Sequence, residues 1–235
     1  MAANQFQTSV ATQPSPGIEG GFAGANPYFS MITPDEGMFV ADSTNPPIVG
    51  NMAWVNTANG KVSSQHPGVI TVRVGFMLRD QPSVANGASM FSGSSLLVVG
   101  GAPVNVAEDG TFWGRFAGGA TIGQKVYQAY ADGAMSAAAT ATPSTVTRSV
   151  TTTNLSTTIS YTGGAIFPGQ PVSGTGIPAA TYVVSVNAVA GTAVISAAAT
   201  ASGTVTGTFT TNFETVFTVR STAAAGELAK ISVKG

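Results

Sequence analysis

Residues that could support catalysis are few and far apart in this sequence. The chain has a single histidine, His66, in the stretch SQHPG, and ten acidic residues among 235. A nucleophilic triad needs a nucleophile, a base and a group that orients the base, and a metal site needs several ligands. Because Pro67 and Gly68 follow His66, we expect a turn residue that packs or lies at the surface, and not a general base.

The adjacent acidic pairs, Asp35-Glu36 and Glu108-Asp109, do not form a convincing site either. Both lie beside turn signals, and neighbouring residues of a strand point to opposite faces. A calcium site at Glu108 and Asp109 would lack the alternating oxygen spacing of a calcium loop. Glycine-rich strings such as GTGIPA at 174–179 follow no strand–helix unit, so they do not predict a phosphate-binding loop. We therefore predict no enzyme, no catalytic residue, no cofactor and no metal, with a hydrolase built from distant acids as an alternative.

Composition narrows the class of partner. Charged residues make up only 8% of the chain, against roughly 25% in ordinary domains, and the net charge is -1. Such a chain cannot neutralise a run of phosphates, so we predict no nucleic-acid partner. The apolar run LLVV at 96–99 is far too short to cross a bilayer, and no membrane partner is expected. A neutral surface of Thr, Ser and Ala suits permanent packing against neighbouring proteins.

Strand signals dominate the pattern, and no window predicts a convincing amphipathic helix. The segment GVITVRVGFML at 68–78 is β-branched and aromatic, and NFETVFTV at 212–219 alternates apolar and polar residues. The pairs Asn59-Gly60, Asp109-Gly110 and Asp132-Gly133 each lie between apolar flanks and predict hairpins, the first with a type I′ turn. The fold class is therefore predicted to be all-β, with a β-barrel or β-sandwich body.

A shift in composition predicts an inserted module. Within 144–211 the only charged residue is Arg148, and short β-branched runs alternate with Gly and Pro turns. Residues 31–143 plus 212–235 would then form the β body, and 144–211 a small Thr/Ser/Ala/Val/Gly-rich β domain inserted into it. The predicted module core comprises Ile159, Tyr161, Ile166, Val172, Ile177, Tyr182, Val184, Val186, Val194 and Ile195.

The N-terminal residues 1–30 predict an extended arm. The stretch PSPGIEGGFAGANPYF at 14–29 is rich in Gly and Pro and has no helical or strand period. Its aromatic residues are too scattered to pack among themselves, so we expect them to dock on a partner. The predicted partner-binding residues are Phe22, Asn26, Pro27, Tyr28 and Phe29. The alternative is an ordinary loop packed on its own domain.

The opening of the chain resembles a known family. The stretch PGIEGGFAGANPYFSMI, followed by IVGNMAWVN and NGKVSS, is similar to the start of the structural cement proteins of tailed bacteriophages, also called capsid decoration proteins. The matching residues are Pro16, Gly17, Glu19, Gly20, Phe22, Ala23, Asn26, Pro27, Val49, Gly50, Ala53, Trp54 and Val55. The resemblance covers roughly residues 1–143 and 212–235.

This resemblance implies a non-enzymatic virion protein that is made in the host cytoplasm. Such a protein would bind the outer capsid surface, bridge major capsid protein subunits and stabilise the shell, and a homotrimer is implied. The inserted stretch is similar to a small β module found in phage and bacterial surface proteins, which leaves a host-surface glycan open as a further partner. The alternative function is a carbohydrate or host-surface binding module of a phage tail fibre or surface protein.

Overall fold

The computed structural model describes residues 17–25, 27–33, 37–79 and 96–233, and every regular element in these ranges is a β-strand. The predicted all-β class and the barrel-like or sandwich-like body are confirmed, because the sheets curl as half-barrels. Across the same ranges there is no helix long and apolar enough to cross a membrane. Three sheets account for the strands.

The first two sheets form the body. The first contains β1 (Phe29–Ser30), β2 (Val40–Ala41), β3 (Met52–Asn56), β4 (Lys61–Ser63), β5 (Val72–Met77) and β6 (Val106–Asp109), in the order β1-β6-β5-β3-β4-β2. The second contains β7 (Thr111–Phe116), β8 (Lys125–Ala129), β9 (Met135–Ala138), β16 (Asn212–Val219) and β17 (Glu227–Ser232), in the order β7-β17-β16-β8-β9.

The body has two apolar cores, one on each face of the first sheet. Strand β3 shows why, because residues on alternate sides of it are buried: Met52 joins the core shared with the second sheet, and Ala53 and Val55 join the other. The shared core is aromatic, and the rings of Phe76 and Phe112 stack across the two sheets with centroids 4.9 Å apart. Stacking of this kind adds to the free energy gained from burial.

Two of the three predicted hairpins are confirmed. Strands β3 and β4 pair across the loop at 57–60, and β8 and β9 pair across the loop that contains Gly133. The type I′ turn is wrong, because the first loop has four residues and Gly60 alone takes a positive φ, of 68°. The side chain of Asn59 instead accepts a hydrogen bond from the Lys61 N–H at 3.0 Å, which stabilises the longer turn.

The hairpin predicted at Asp109-Gly110 is wrong. Strand β6 pairs with β1 and β5, whereas β7 pairs with β17, so Gly110 carries the chain from one sheet to the other. Its φ of 142° is a conformation that glycine adopts far more readily than other residues. The apolar residues before and after Gly110 belong to different sheets. Local alternation shows that both segments are strands but not that they pair with different partners.

The third sheet lies within residues 145–210. It contains β10 (Thr145–Thr152), β11 (Thr158–Thr162), β12 (Val172–Ser173), β13 (Val183–Asn187), β14 (Thr192–Ile195) and β15 (Gly203–Thr210), in the order β12-β15-β10-β11-β14-β13. Strands β10 and β15 pair over their full length, from Thr145 opposite Thr210 to Thr152 opposite Gly203. The chain therefore enters and leaves this sheet through adjacent strands.

Three of the residues predicted for the core of the third sheet lie outside it. Val183 and Ala193 are buried, whereas Tyr182, Val184 and Val194, which we expected inside, lie outside the core cluster. For Tyr182 and Val184 the cause is an irregularity in β13 between Val183 and Ser185, where the pairing register with β14 shifts, whereas Val194 lies between the buried Ala193 and Ile195 of β14 and so faces the other way. A bulge of this kind breaks the two-residue period on which the prediction relied. The other predicted core residues do pack in or against this cluster: Ile159, Tyr161, Ile166, Val172, Ile177, Val186 and Ile195.

Candidate partner-binding surfaces

Three aromatic side chains of the N-terminal segment are exposed within eight residues of one another along the chain. Phe22, Tyr28 and Phe29, hereafter the aromatic patch, are 51%, 44% and 57% exposed. The rings of Phe22 and Tyr28 lie 4.7 Å apart, and Phe22 also contacts the buried ring of Phe112 at 5.7 Å. The expectation that these aromatic residues cannot pack among themselves is therefore wrong. Pro27 is exposed beside them, and Asn26 lies outside the described residues.

Backbone hydrogen bonds hold the described part of this segment on the body. Gly20 donates to the Trp113 carbonyl and Trp113 donates to the Gly21 carbonyl, both at 2.9 Å, and Ala23 donates to Thr111 at 2.8 Å. Further along the chain, β1 adds a short strand beside β6. The described part thus adopts the alternative of a segment packed on its own domain.

An ion pair and a glycine contact fix where this segment begins. The Arg115 guanidinium donates to the Glu19 carboxylate at 2.7 Å. Gly20 has a φ of 79°, and a side chain there would meet Val49 and the backbone of Gly50. These contacts need glycine at position 20, because another residue would be both strained and crowded.

A second candidate surface is an apolar groove between the first two sheets. This β5–β16 groove has a volume of about 570 Å³. Its walls include Val72 and Val74 of β5 and Phe213 and Val216 of β16, and its floor includes Trp54, His66 and Tyr130. Phe213 and Val216 are 42% and 60% exposed. The sequence did not predict this groove, because the alternation at 212–219 places Phe213 on the same face as Phe217, which is buried.

Aromatic contacts build the floor of the groove. Trp54 stacks on Tyr130 at 5.3 Å, and the His66 ring meets Trp54 edge-on at 4.5 Å. The Nδ1 atom of His66 accepts a hydrogen bond from the Gly68 N–H at 3.0 Å. Burial lowers the pKa of His66 to about 4, so the ring is neutral at physiological pH. His66 thus packs as a neutral ring in a non-strand segment.

The charged groups of the groove are already paired. Arg73 and Glu108 form an ion pair at its edge. The Glu214 carboxylate accepts hydrogen bonds from the Tyr127 hydroxyl at 2.8 Å and from the Ala141 N–H at 2.7 Å. The Ala141 N–H, with the Tyr127 hydroxyl second, lowers the pKa of Glu214, so it stays ionised. Within the described ranges no group of three or more His, Cys, Asp or Glu is placed to hold a metal ion.

Comparison with known families places the chain in the class of phage capsid-associated proteins. More specifically, the family model of the XM1 gp53 minor capsid protein matches residues 6–166, and the chain belongs to that family. The match covers the aromatic patch, most of the body and the first two strands of the third sheet. No curated protein is significantly similar to the chain. Membership of this family assigns the chain a structural role in the virion.

Proposed function

We propose that this chain is a non-enzymatic structural protein that binds the outer surface of the capsid, bridges major capsid protein subunits and so stabilises the shell. Copies of the chain associate with one another as a homotrimer. The observation that carries this proposal is the aromatic patch, which is exposed although the segment beneath it is fixed by backbone hydrogen bonds. Anything that binds the assembled shell but not its free subunits stabilises the shell by mass action.

Docking of the aromatic patch on a partner costs little conformational entropy, because the backbone beneath it is already hydrogen-bonded to the body. Burial of an exposed Phe side chain contributes about 1.5–3 kcal/mol. Because residues 20–23 are already paired with β7, most of the backbone entropy has been lost before binding, and a larger part of the burial energy remains as affinity. The low charge of the chain also limits the desolvation cost of burying the surrounding surface.

Capsid attachment tests the proposal directly. The double variant Phe22→Ala, Phe29→Ala should bind capsids that lack the protein at least about tenfold more weakly than the natural chain. The measurement is co-sedimentation with purified capsids over a range of protein concentrations. Thermal unfolding of the free variant checks that the body still folds, because Phe22 contacts Phe112.

A matched control removes exposed apolar side chains elsewhere. Leu155→Ala with Val189→Ala changes two residues that are 83% and 101% exposed at the third sheet. This control should attach normally. Unchanged attachment of the patch variant, or equal loss in both variants, would show that the aromatic patch does not mediate capsid binding.

The third sheet supports a second candidate function, contact with a host-surface glycan. One face of it presents hydroxyl groups on paired strands, with Thr145, Thr147, Ser149 and Thr151 opposite Thr210, Thr208, Thr206 and Thr204. The hydroxyls of Thr151 and Thr204 lie 3.1 Å apart. A glycan array probed with the full chain, and with Thr151→Val plus Thr204→Val, tests this candidate. Binding that the double variant loses would support it, and no binding to any glycan would exclude it.

A further inference from the structure

The β5–β16 groove has the properties of a receptor for an extended polypeptide strand. We propose that it receives residues 1–16 of a second copy of this chain, which would pair along the open edge of β16. The inference rests on the self-association proposed above but not on attachment to the capsid. It follows from the edges of the groove, from its chemistry and from the end of the second sheet at which residue 17 lies.

The strands on both sides of the groove have edges that are incompletely paired. Strand β16 pairs with β17 through Thr218 and Val219, and no described residue of β17 lies opposite residues 212–217. Strand β5 pairs with β6 through Phe76 and Met77, and among the described residues Val72–Val74 pair only with β3. Open strand edges present N–H and C=O groups that an added strand can pair with.

A bulge shapes the wall that β16 contributes. Between Glu214 and Thr218 the strand advances four residues while β8 advances only two, from Tyr127 to Lys125. The Thr215 hydroxyl stabilises this bulge, because it donates to the Val126 carbonyl at 2.8 Å and accepts from the Phe217 N–H at 3.2 Å. Val216 is left 60% exposed at the groove. Bulges commonly redirect a side chain beside a functional surface.

The groove offers apolar contacts and backbone partners, and no free charge. Arg73 pairs with Glu108, and Glu214 is held by Tyr127 and Ala141. A charged ligand would therefore have no counter-charge to meet. The indole N–H of Trp54 beneath the groove is buried and makes no hydrogen bond within the described residues.

Residues 1–16 match this chemistry. They contain no charged side chain, and the stretch QFQTSVAT at 5–12 places Phe6, Thr8 and Val10 on one face of an extended strand. Thr and Val favour strands, and Phe6 and Val10 supply apolar side chains for the walls. An extended segment of 16 residues spans at most roughly 55 Å, enough to reach a neighbouring copy.

The strand registers place residue 17 at the end of the second sheet that is farther from the groove. Ala23 donates to the Thr111 carbonyl and Glu19 pairs with Arg115, so the described segment, traced back from Ala23 to residue 17, runs toward the Phe116 end of β7. Thr218 lies opposite Ser232, and Ser232 lies opposite Thr111. Residues 212–217 therefore extend beyond the Thr111 end, which is the opposite end.

This geometry favours the groove of a second copy over the groove of the same chain. Each copy then gives a strand at one end of its second sheet and accepts one at the other. Such a head-to-tail contact is heterologous, and it closes into a ring when the rotation between copies permits. A closed trimer satisfies this condition with every groove filled.

Disulfide trapping tests the inference with the full chain. The natural sequence has no cysteine, so introduced thiols are the only ones present. Protein with Thr8→Cys is mixed with protein with Val216→Cys under mild oxidation, and a covalent heterodimer is expected. The matched control replaces Val216→Cys by Val189→Cys, a fully exposed valine at the third sheet, and should give at most the background of random collisions.

A second measurement is self-association followed by light scattering. Val216→Asp should weaken it at least about tenfold, because an ionised carboxylate at the groove wall disfavours an apolar strand, whereas Val189→Asp should leave it unchanged. Loss of association with an unchanged unfolding temperature supports the inference.

Four results would overturn it. Equal trapping by Val189→Cys shows random collision. A single chain with both Thr8→Cys and Val216→Cys that closes only within itself shows that residues 1–16 fill their own groove. If no disulfide forms although the protein still self-associates, the copies contact each other at another surface. If the protein does not self-associate at all, the proposed homotrimer is refuted as well. None of these results bears on capsid attachment, which co-sedimentation of the aromatic-patch variant measures separately.

Discussion

The body and the third sheet solve the same packing problem with different residues. The core shared by the two body sheets is built on large rings, including Phe76, Phe112, Phe116 and Phe217. The third sheet is packed mainly with Val, Ile and Ala around Phe209 and Tyr161. The aromatic body remains open at the β5–β16 groove and carries the aromatic patch outside. Small β-branched residues can close a sheet on itself, whereas the body keeps apolar surface available for neighbours.

The largest expected effect tests whether these two regions are independent. We propose that the third sheet, within residues 144–211, folds as a separate unit from the body at 31–143 plus 212–235. Phe209 and Phe217 are both fully buried, in different cores. Phe209→Ala and Phe217→Ala should each lower the free energy of unfolding by about 3–5 kcal/mol. Each should move only the transition of its own region in calorimetry.

The comparison fails if the two variants behave alike. A single cooperative transition that shifts equally in Phe209→Ala and Phe217→Ala would show one folding unit. Replacing residues 145–210 by a short Gly/Ser linker checks this independently, because the remaining body should retain its own transition. Loss of all folding in that variant would contradict the proposed division.

The next effect concerns the contact between the two regions. The ring of His66 packs against Gly169, where a Cβ atom would overlap it, and against Trp54 of the body. His66→Ala should therefore destabilise the protein by about 2–3 kcal/mol, because it leaves a cavity and an unpaired Gly68 N–H. His66→Asn, whose side-chain oxygen can accept from Gly68, should cost less. Chemical denaturation of the two variants measures the difference.

The same residue predicts a dependence of stability on pH. In the folded chain burial lowers the pKa of His66 to about 4, from 6.5 for the free side chain. Between these values the unfolded chain binds a proton that the folded chain excludes, so stability should fall as the pH is lowered from 6.5 toward 4. His66→Asn should remove this slope. The folded chain also lowers the pKa of Glu214, so protonation of this carboxylate should reduce stability at more acidic pH. That acidic loss of stability should remain in His66→Asn. A slope that persists in His66→Asn would assign the dependence to another group.

Local sequence patterns predicted much of the fold, because two-residue alternation and Gly turns act over short distances. They identified the hairpins at Gly60 and Gly133 and most of the third-sheet core. They failed where register depends on distant partners: at Gly110, where the chain changes sheets, and at the bulge after Val183. The sequence around His66 predicted a turn. It could not predict the burial of His66, because the residues that cover its ring, Trp54, Tyr130 and Gly169, come from separate parts of the chain.

The two candidate surfaces were predictable to different degrees. The aromatic residues of the patch were identified from their unusual Gly/Pro-rich setting, and Phe22, Pro27, Tyr28 and Phe29 are indeed exposed. Whether they contact a partner stays a prediction. The groove could not be predicted, because it arises where β16 extends past β17 and where a bulge exposes Val216. Neither feature leaves a mark in the local pattern of apolar residues.

The smallest expected effect is a gain in stability within the aromatic body. Gln128 of β8 is fully buried, and neither its amide nitrogen nor its amide oxygen has a hydrogen-bond partner among the described residues. A buried polar group without partners costs about 1–3 kcal/mol, so Gln128→Met, of similar length and flexibility, should raise the free energy of unfolding by about 1 kcal/mol. Urea denaturation measures the change, and Gln170→Met is the control, because the buried Gln170 accepts a hydrogen bond from the Phe167 N–H at 2.8 Å and should lose stability. If Gln128→Met also destabilises, the amide is satisfied by ordered water, and the body core is wetter than the third sheet at this position.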